Sequence, residues 1–472
     1  MNDRQDQKRH VTAPEDRVPI KDKILYGSGS FADMTFQWTL IAFALPILNI
    51  ELGFSPWIIG LVLAITRIWD AVTDPLMGSI SDNTRTRFGR RRPYIGVGAI
   101  LCGLFFISIW FVPQNISDWQ FFFYFSVTSI LFYTSFTVFS VPLYAMGYEM
   151  SPDFHERTKM MGVRIFSNSL NGVILFPWFL AFIHLSIWSD SVEGIRMTGL
   201  GIGLLMMVLG LIPALTLKER VKTYVEKQER VSVLKSLKFT FGCKPYVFLI
   251  VAFFIALFAY NTVATIYVYP LKYLVCAGDD ARYSFWVGWI EASHHISTLC
   301  VLIPITLLSK RIGKRMACIL APLFLIVGSL AYLVCFIPDT PWLVIVPRAL
   351  VAMGWAGLFV LVPSMIADVV DYDEQQTGTR REGMFGAVHF WVIKLALAFA
   401  LLTTGVIVEL SGFDIDLGIN QPEDAMNNII WLLGILPTIG AAIAFYCIYR
   451  YSLTEDKMYE IRTELEERRG VS

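Results

Sequence analysis

The chain has 472 residues, of which 55% are hydrophobic, 14% aromatic and 17% charged. Soluble domains carry roughly a quarter charged residues, so this composition excludes an ordinary soluble protein and predicts a membrane protein with many spanning helices. Its 39 basic and 39 acidic residues give zero formal net charge. We expect a lipid bilayer around the chain and no nucleic-acid partner.

Apolar stretches of about 20 residues, the length that crosses a bilayer as a helix, recur along the chain. Six precede a charged segment and six follow it: 25–50, 56–81, 94–113, 119–149, 159–183 and 194–217, then 246–272, 283–308, 316–337, 341–369, 384–410 and 427–451. This spacing predicts an all-α membrane protein with twelve transmembrane helices in two six-helix bundles. The expected divisions are 1–217, a cytoplasmic linker at 218–245, 246–452, and a cytoplasmic tail at 453–472.

Successive loops alternate between a high and a low content of lysine and arginine. They are concentrated in both terminal tails and in the loops 85–92, 155–159, 218–244, 310–315 and 380–381, whereas the intervening loops have almost none. Cytoplasmic loops carry such an excess of positive charge. The sequence therefore predicts cytoplasmic termini in the cytoplasmic (inner) membrane. The polar first two dozen residues do not have the apolar core of a cleaved signal peptide, so the first helix should act as an uncleaved signal anchor.

The second apolar stretch contains the charged residues Arg67, Asp70 and Asp74. A charge inside a membrane helix costs several kcal/mol unless it faces a partner or water. Asp70 and Asp74 are four residues apart and share a helix face, and Arg67 lies near that face. One guanidinium balances one carboxylate, so the other needs a cation, a proton or another base. The alternative interpretation is a buried ion pair that only fixes helix packing.

The loops that follow the second and eighth stretches occupy equivalent places in the two groups of helices. Residues 81–94 read SDNTRTRFGRRRPY, and residues 309–316 read SKRIGKRM, with a glycine before paired basic residues in both. Internal symmetry of this kind is typical of transporters built from repeats, whose site lies between the repeats. The alternative is that the excess of positive charge in cytoplasmic loops produces the likeness by itself.

The segment 67–78 reads RIWDAVTDPLMG. Together with residues 81–94 it closely resembles the glycoside–pentoside–hexuronide:cation symporters, which are sugar transporters of the major facilitator fold. Further matches cover nearly the whole chain: YGSGSF at 26–31, Val141-Pro142, ERT at 156–158, ADVVDY at 367–372, RREG at 380–383, and Lys394. The resemblance implies symport of a sugar, glycoside, oligosaccharide or uronide with sodium or a proton, by alternating access, in a monomer.

The resemblance also assigns site residues. It implies a cation site formed by Asp70, Asp74, Thr73 and Thr137 and a substrate site formed by Asp33, Gln37, Arg67, Ser140, Tyr144, Arg164, Trp391 and Lys394. Two carboxylates that hold sugar hydroxyls in the family's typical member are replaced here by Met34 and Ser140, so Asp33 is a shifted candidate. Thr73 stands where that member has asparagine, so the resemblance does not decide between sodium and a proton as the coupling cation.

The sequence also predicts roles for charged residues at the cytoplasmic mouth and for charged residues inside the membrane. Charge pairs between the two bundles should close the cytoplasmic mouth and break when it opens, and their candidate residues are Asp82, Arg85, Arg90, Asp368, Asp371 and Arg380. Topology determination by positive charge is the alternative. Glu291 and His294 share a helix face inside the membrane, so a coupling or substrate role there is a hypothesis. Arg348 is expected to extend from its helix end toward the membrane surface.

The sequence contains few motifs of other functional classes. A phosphate-binding loop of the form Gly-x-x-x-x-Gly-Lys-Ser/Thr is not present, nor is a Ser/His/Asp or metal-binding arrangement, so we expect no enzyme and no cofactor besides the coupling cation. The seven cysteines are scattered and predict no disulfide framework. The remaining alternatives are a lysolipid or other amphiphile transporter of the same fold and a sugar sensor that does not transport.

Overall fold

The computed structural model describes residues 17–151, 154–217, 242–378 and 382–469. Thirteen long helices, α1 to α13 in chain order, account for most of these residues: Ile20–Ala44, Pro56–Asn83, Arg92–Trp110, Asp118–Glu149, Phe154–Ile174, Ser191–Thr216, Lys244–Val263, Asp280–Ile312, Lys314–Cys335, Ile345–Thr377, Glu382–Leu410, Glu423–Arg450 and Glu455–Arg469. Most of the expected linker at 218–245 lies outside the described residues.

Among the described residues, eleven helices are long and apolar enough to cross a membrane. They are α1 to α4 and α6 to α12. The remaining member of the expected twelve, α5, is more polar because it carries Glu156, Lys159 and Arg164, and it packs against α1 inside the bundle. The prediction of an all-α membrane protein is thus confirmed, with twelve helices at the expected places.

Two predicted helices are interrupted, in each case near a proline. The stretch expected to run from 159 to 183 ends as a helix at Ile174, and a single turn at Phe176–Trp178 leads into the short helix Phe179–Ile183. The stretch expected to run from 246 to 272 ends at Val263 and resumes at 268–275. Pro177 and Pro270 cannot donate the backbone hydrogen bond that a continuous helix needs.

Helix ends follow local signals in the sequence. Ser117 and Gln120 form a reciprocal capping box at the start of α4. Asp279 accepts a hydrogen bond from the backbone N–H of Arg282 at the start of α8. Gly313, with φ of +83°, separates α8 from α9 in a conformation that favours glycine.

We call α1 to α6 the first half and α7 to α12 the second half; their status as separate domains remains a prediction. In the first half α3 packs on α4 and α6, and α1 packs on α5 and α6. In the second half α9 packs on α10 and α12, and α7 packs on α11 and α12. The two halves meet where α2 packs on α11 and α5 packs on α8.

Glycines allow this close approach of the halves. A Cβ atom on Gly60 of α2 would lie 2.7 Å from the carbonyl oxygen of Leu401, and one on Gly405 of α11 would lie 2.5 Å from the carbonyl oxygen of Pro56. A Cβ on Gly172 of α5 would lie 2.5 Å from Nδ1 of His295 on α8. Helix backbones in a membrane approach this closely only where small residues face each other.

Candidate functional site

Two charged residues of α2, Arg67 and Asp70, point into the protein. Arg67 and Asp70 are each 4% exposed, and Nη1 of Arg67 lies 3.5 Å from Oδ2 of Asp70. Arg67 also donates hydrogen bonds to the hydroxyl of Tyr133, at 2.8 Å, and to the backbone carbonyl of Gln37, at 3.1 Å. The guanidinium is therefore fixed between α1, α2 and α4.

Thr137 of α4 lies between the two carboxylates of α2. Its Oγ1 is 3.1 Å from Oδ1 of Asp70, 3.0 Å from Oδ1 of Asp74 and 3.3 Å from Oγ1 of Thr73. A hydroxyl has one proton, so it can donate to only one of these oxygens at a time. The four predicted cation residues thus converge as a set of oxygen ligands, which hard cations prefer.

Lys394 of α11 brings a positive charge from the second half to this cluster. Its ammonium group forms an ion pair with Asp74, lies 3.2 Å from Oδ2 of Asp70 and donates to the backbone carbonyl of Asp70 at 3.1 Å. The lysine bridges both carboxylates. A cation that binds Asp70 and Asp74 must therefore compete with Lys394.

Replacing Thr137 with valine is expected to weaken cation binding about tenfold, because the isosteric side chain supplies no oxygen to the cluster and removes the one hydrogen bond that the hydroxyl donates to Asp70 or Asp74. The measurement is the cation concentration that gives half-maximal uptake by the purified protein in vesicles. Thr403→Val is the matched control, since within the described part of the chain the Thr403 hydroxyl bonds only to its own helix, at the carbonyl of Phe399. Equal cation dependence in both variants would contradict the assignment.

A second buried cluster joins α1, α4 and α5. Asp33, 1% exposed, accepts hydrogen bonds from the hydroxyl of Ser140 at 2.5 Å and from Nη2 of Arg164 at 3.0 Å. The guanidinium carbon of Arg164 lies 3.1 Å from the ring centroid of Tyr144. Sugar sites combine such polar groups with an aromatic face, so these four predicted substrate residues form a suitable set.

The two clusters are adjacent on α4. Thr137 and Ser140 are three residues apart, so they lie on the same face of that helix. Two other predicted substrate residues are not brought to either cluster through their described side-chain contacts. Gln37 contributes its backbone carbonyl to Arg67, and Trp391 is exposed on α11. Their substrate roles remain predictions.

The candidate gate residues whose backbone is described, Asp82, Arg85, Arg90, Asp368 and Asp371, lie at the end of the bundle that carries the basic loop 84–91, which we call the basic end. Arg90 forms an ion pair with Glu149, and Asp368 forms one with Lys314, so these described partners are in the same half. Arg85 is exposed, and Asp371 lies in α10. The side chain of Asp82 and all of Arg380 lie outside the described residues. The gate between the halves therefore remains a prediction.

Glu149 was not among the predicted residues, although it anchors the basic loop. Burial raises the pKa of its carboxyl, but hydrogen bonds and charge from Arg91 and Arg90 outweigh burial and hold the pKa below its ordinary value. A depressed carboxyl pKa stabilises the fold above the unfolded pKa, and this stabilisation is lost as the pH falls through the folded value.

The expectation for Arg348 is wrong. This residue is 7% exposed and its guanidinium donates to both oxygens of Glu291, each at 2.7 Å. Tyr260 accepts a third hydrogen bond from Arg348 at 2.8 Å, and the hydroxyl of Tyr267 donates to Glu291 at 2.7 Å. Arg348 turns inward because Glu291 supplies a buried countercharge, which a position near a helix end does not reveal.

A further cluster, missed from the sequence, joins the halves at the end opposite the basic loops, which we call the opposite end. Lys272, after α7, lies 2.8 Å from Oε1 of Glu51, after α1, and 2.8 Å from Oδ1 of Asp280 on α8. Nε2 of His184 lies 3.5 Å from Glu51. Glu51, His184 and Asp280 lie close enough together to ligate a metal ion, but the ammonium of Lys272 already bridges the two carboxylates.

The fold and these clusters define a secondary transporter of the major facilitator type, with two halves and buried charges between them. The family model for MFS/sugar transport proteins matches residues 25–455. The chain belongs to this family and, within it, to the glycoside–pentoside–hexuronide:cation symporters; it is a sugar or glycoside cation symporter.

Named relatives agree with this assignment. The "Putative glycoside/cation symporter YagG" of Escherichia coli is 28% identical over 96% of both chains. The "Isoprimeverose transporter" of Lactiplantibacillus pentosus is 27% identical, covering 93% of this chain and 91% of the relative. The "Sodium-dependent lysophosphatidylcholine symporter 1" of Gallus gallus is 24% identical, covering 97% and 91%.

Solved structures share the architecture. A D-xylose-proton symporter superposes with a TM-score of 0.64 at 12% identity, covering 91% of this chain and 97% of the other. A bacterial homologue of the lysosomal transporter Spinster, described as inward-facing and unoccupied, gives a TM-score of 0.66 at 13% identity, covering 91% and 96%. At such identities the likeness shows the fold alone.

Proposed function

We propose that this chain carries a sugar, glycoside or uronide across the cytoplasmic membrane together with sodium or a proton, as a monomer that works by alternating access. The observation that carries the proposal is the bridge from Lys394 of the second half to Asp70 and Asp74 of the first. A cation that binds the two carboxylates displaces this lysine, and the charge state of the cluster thereby changes the contact between the halves.

The Asp33 cluster adjoins the cation site on α4, so displacement of Lys394 should also affect the substrate residues. Thr137 contacts the cation carboxylates, and Ser140, one turn further along α4, bonds to Asp33. Cation binding that draws Thr137 toward Asp70 and Asp74 also orients Ser140 and Asp33 for the substrate. The two ligands should then raise each other's affinity by the same factor, because coupling between two binding equilibria is reciprocal.

The test is uptake of a panel of glycosides and uronides into vesicles that contain the purified protein, with a sodium gradient or a pH gradient imposed separately. Uptake driven by sodium at constant pH assigns sodium, and uptake driven by the pH gradient without sodium assigns the proton. Equal uptake with and without either gradient would exclude symport, and binding without accumulation would favour a sensor.

A lysolipid carrier is the second candidate. It is favoured by the lysophosphatidylcholine symporter among the relatives and by a largely apolar, aromatic cavity between the halves. The polar set of Asp33, Ser140 and Arg164 favours a sugar instead, since an acyl chain offers no hydrogen bonds to these groups. Uptake of lysophosphatidylcholine without uptake of any carbohydrate would decide for the lipid.

We further propose that both termini face the cytoplasm, so that the basic end is cytoplasmic and the opposite end faces outward. The ion pairs of Lys272 with Glu51 and the packing of Gly172 against His295 then close the outer side. Packing at this end, together with the bridge at Lys394, corresponds to a carrier closed to the outside.

Replacing Lys272 with methionine is expected to open the outer side about tenfold more often, because the change removes two charge-assisted hydrogen bonds and leaves Glu51 and Asp280 to repel each other. The measurement is the rate at which an impermeant thiol reagent, added outside, labels the variant Ser169→Cys in a cysteine-free background, because Ser169 of α5 lines the cavity between the halves.

Arg282→Met is the matched control for this variant. It removes an ion pair with Asp339 at the same end, but both partners of that pair belong to the second half. A labelling rate in Lys272→Met no greater than that of the control would show that the lysine does not hold the halves together.

A further inference from the structure

Three side chains of the types that ligate metal ions converge at the opposite end, where the two halves meet. Glu51 and His184 belong to the first half, and Asp280 begins α8 of the second half. One ligand atom from each side chain lies within 4.8 Å of the other two. A metal ion held by all three would therefore join the halves directly.

The imidazole of His184 is directed at this cluster. Its side chain is 7% exposed, and its Nε2 is buried without a hydrogen-bond partner among the described residues. Oε1 of Glu51 lies 3.5 Å from this nitrogen, which is long for a hydrogen bond. Ligand atoms at about 2.1 Å from a tetrahedral zinc ion lie about 3.4 Å from each other, so these two atoms have the separation of ligands on one ion.

The charges of the cluster favour a divalent cation. The ammonium of Lys272 lies 2.8 Å from Oε1 of Glu51 and 2.8 Å from Oδ1 of Asp280. Among the described ion pairs of this cluster, one positive charge therefore faces two negative charges, and a neutral imidazole adds none. A divalent ion in the place of the ammonium would balance both carboxylates. The imidazole ligand selects transition metals, because Mg²⁺ and Ca²⁺ prefer oxygen ligands.

The cluster is open to solvent on the side of Asp280. The side chain of Asp280 is 46% exposed, whereas that of Glu51 is 5% exposed. An incoming ion meets the exposed carboxylate first and then displaces the lysine from the buried one. The ligands of the first half are thus already held in place before the ion arrives.

We propose that Glu51, His184 and Asp280 form a binding site for Zn²⁺ or a similar divalent transition metal, which displaces Lys272 and holds the opposite end closed. The ligands come from both halves, so the site is complete only while this end is closed. A ligand that binds one conformation shifts the population toward it. The site does not depend on the proposed sugar transport, but its effect does: under the orientation and alternating access proposed above, Zn²⁺ added outside inhibits uptake.

The first test is binding of Zn²⁺ to the purified protein in a cysteine-free background, measured by isothermal titration calorimetry. His184→Gln and Asp280→Asn should each weaken binding roughly tenfold or more, because each removes one of three ligands. Lys272→Met should instead strengthen binding about tenfold, since the ammonium no longer competes for the two carboxylates. A cluster with a purely structural role gives no such gain.

His389→Gln is the matched control for the histidine variant. His389 is also buried, and its Nδ1 has no hydrogen-bond partner among the described residues, but it lies near the start of α11 against the ring of Phe253. This variant should bind Zn²⁺ as the parent protein does. Equal binding in His184→Gln and His389→Gln, or no binding at millimolar Zn²⁺, overturns the site.

The second test measures closure through the labelling of Ser169→Cys by an impermeant thiol reagent added outside. At about ten times its Kd, Zn²⁺ should slow this labelling about tenfold, because the open population falls by the factor 1 + [Zn²⁺]/Kd. Mg²⁺ at the same concentration should have no effect. Adding His184→Gln should remove the effect of Zn²⁺, which excludes an action of the metal on the introduced thiol.

The two readouts separate this site from the proposed transport. Binding that depends on His184, together with slower labelling, supports the metal site even if no carbohydrate is carried. Binding that depends on His184 without slower labelling overturns the closure of the opposite end by the metal. Uptake of the transported carbohydrate, measured with and without external Zn²⁺, should fall in the parent protein and remain unchanged in His184→Gln.

Discussion

Replacement of Asp74 by asparagine is expected to abolish cation-dependent uptake while the protein still inserts and folds. The change keeps the shape of the side chain but removes one of the two negative charges that converge with Thr137. Two unit charges about 4 Å apart attract each other by about 4 kcal/mol at an effective dielectric constant of ~20. Cation affinity should therefore fall roughly 100- to 1,000-fold.

The measurement compares uptake with and without the cation gradient, and downhill exchange of sugar without any gradient. Asp339→Asn is the control, because the side chain of Asp339 is 81% exposed and pairs only with Arg282 among its described ionic partners. Cation stimulation that is unchanged in Asp74→Asn would refute the assignment of the cation site. A loss of inserted protein would instead show that Asp74 has a structural role.

Replacement of Arg348 by leucine is expected to cost about 3–5 kcal/mol of unfolding free energy, because it leaves the buried Glu291 without its countercharge. Replacing both residues by leucine should restore most of this loss, since an apolar pair needs no partner. The two residues share two hydrogen bonds, so the double-mutant cycle should give a large coupling energy.

Unfolding by denaturant in detergent, followed by tryptophan fluorescence, measures the three variants in this cycle. Arg282→Leu serves as the comparison, because its ion pair with Asp339 is exposed, and such pairs contribute about 0–1 kcal/mol. If Arg348→Leu costs no more than this exposed control, the Glu291 pair is not the buried ionic contact that the geometry indicates.

Apolar length was sufficient to locate the helices, since a span of the bilayer demands about 20 apolar residues wherever it occurs. It did not reveal the breaks near Pro177 and Pro270, because an interrupted helix keeps the same apolar composition. Hydropathy was also a poor guide to α5. The charge of Arg164 keeps this helix below the hydropathy expected of a spanning helix, although α5 packs inside the bundle.

The site was predictable only where its residues lie close together in sequence or match a family motif. Asp70 and Asp74 are recognisable as a pair because they lie on one helix, whereas Lys272 and Glu51 are 221 residues apart and the sequence around them gave no sign of their contact. Glu291 was noticed because an intramembrane carboxylate needs an explanation, but its partner Arg348 was assigned to the membrane surface. Pairing of distant charges depends on helix packing, which a single sequence does not contain.

The cluster of Arg67, Asp70, Asp74 and Lys394 has an electrical consequence. Two positive and two negative side chains sum to zero, so the empty cluster is neutral. Under the proposed symport, a monovalent cation adds one positive charge, and a neutral glycoside adds none. The loaded carrier therefore crosses the membrane field with one charge that the empty carrier does not have. A potential of 100 mV, negative inside, would contribute about 2.3 kcal/mol to accumulation, beyond the chemical gradient of the cation.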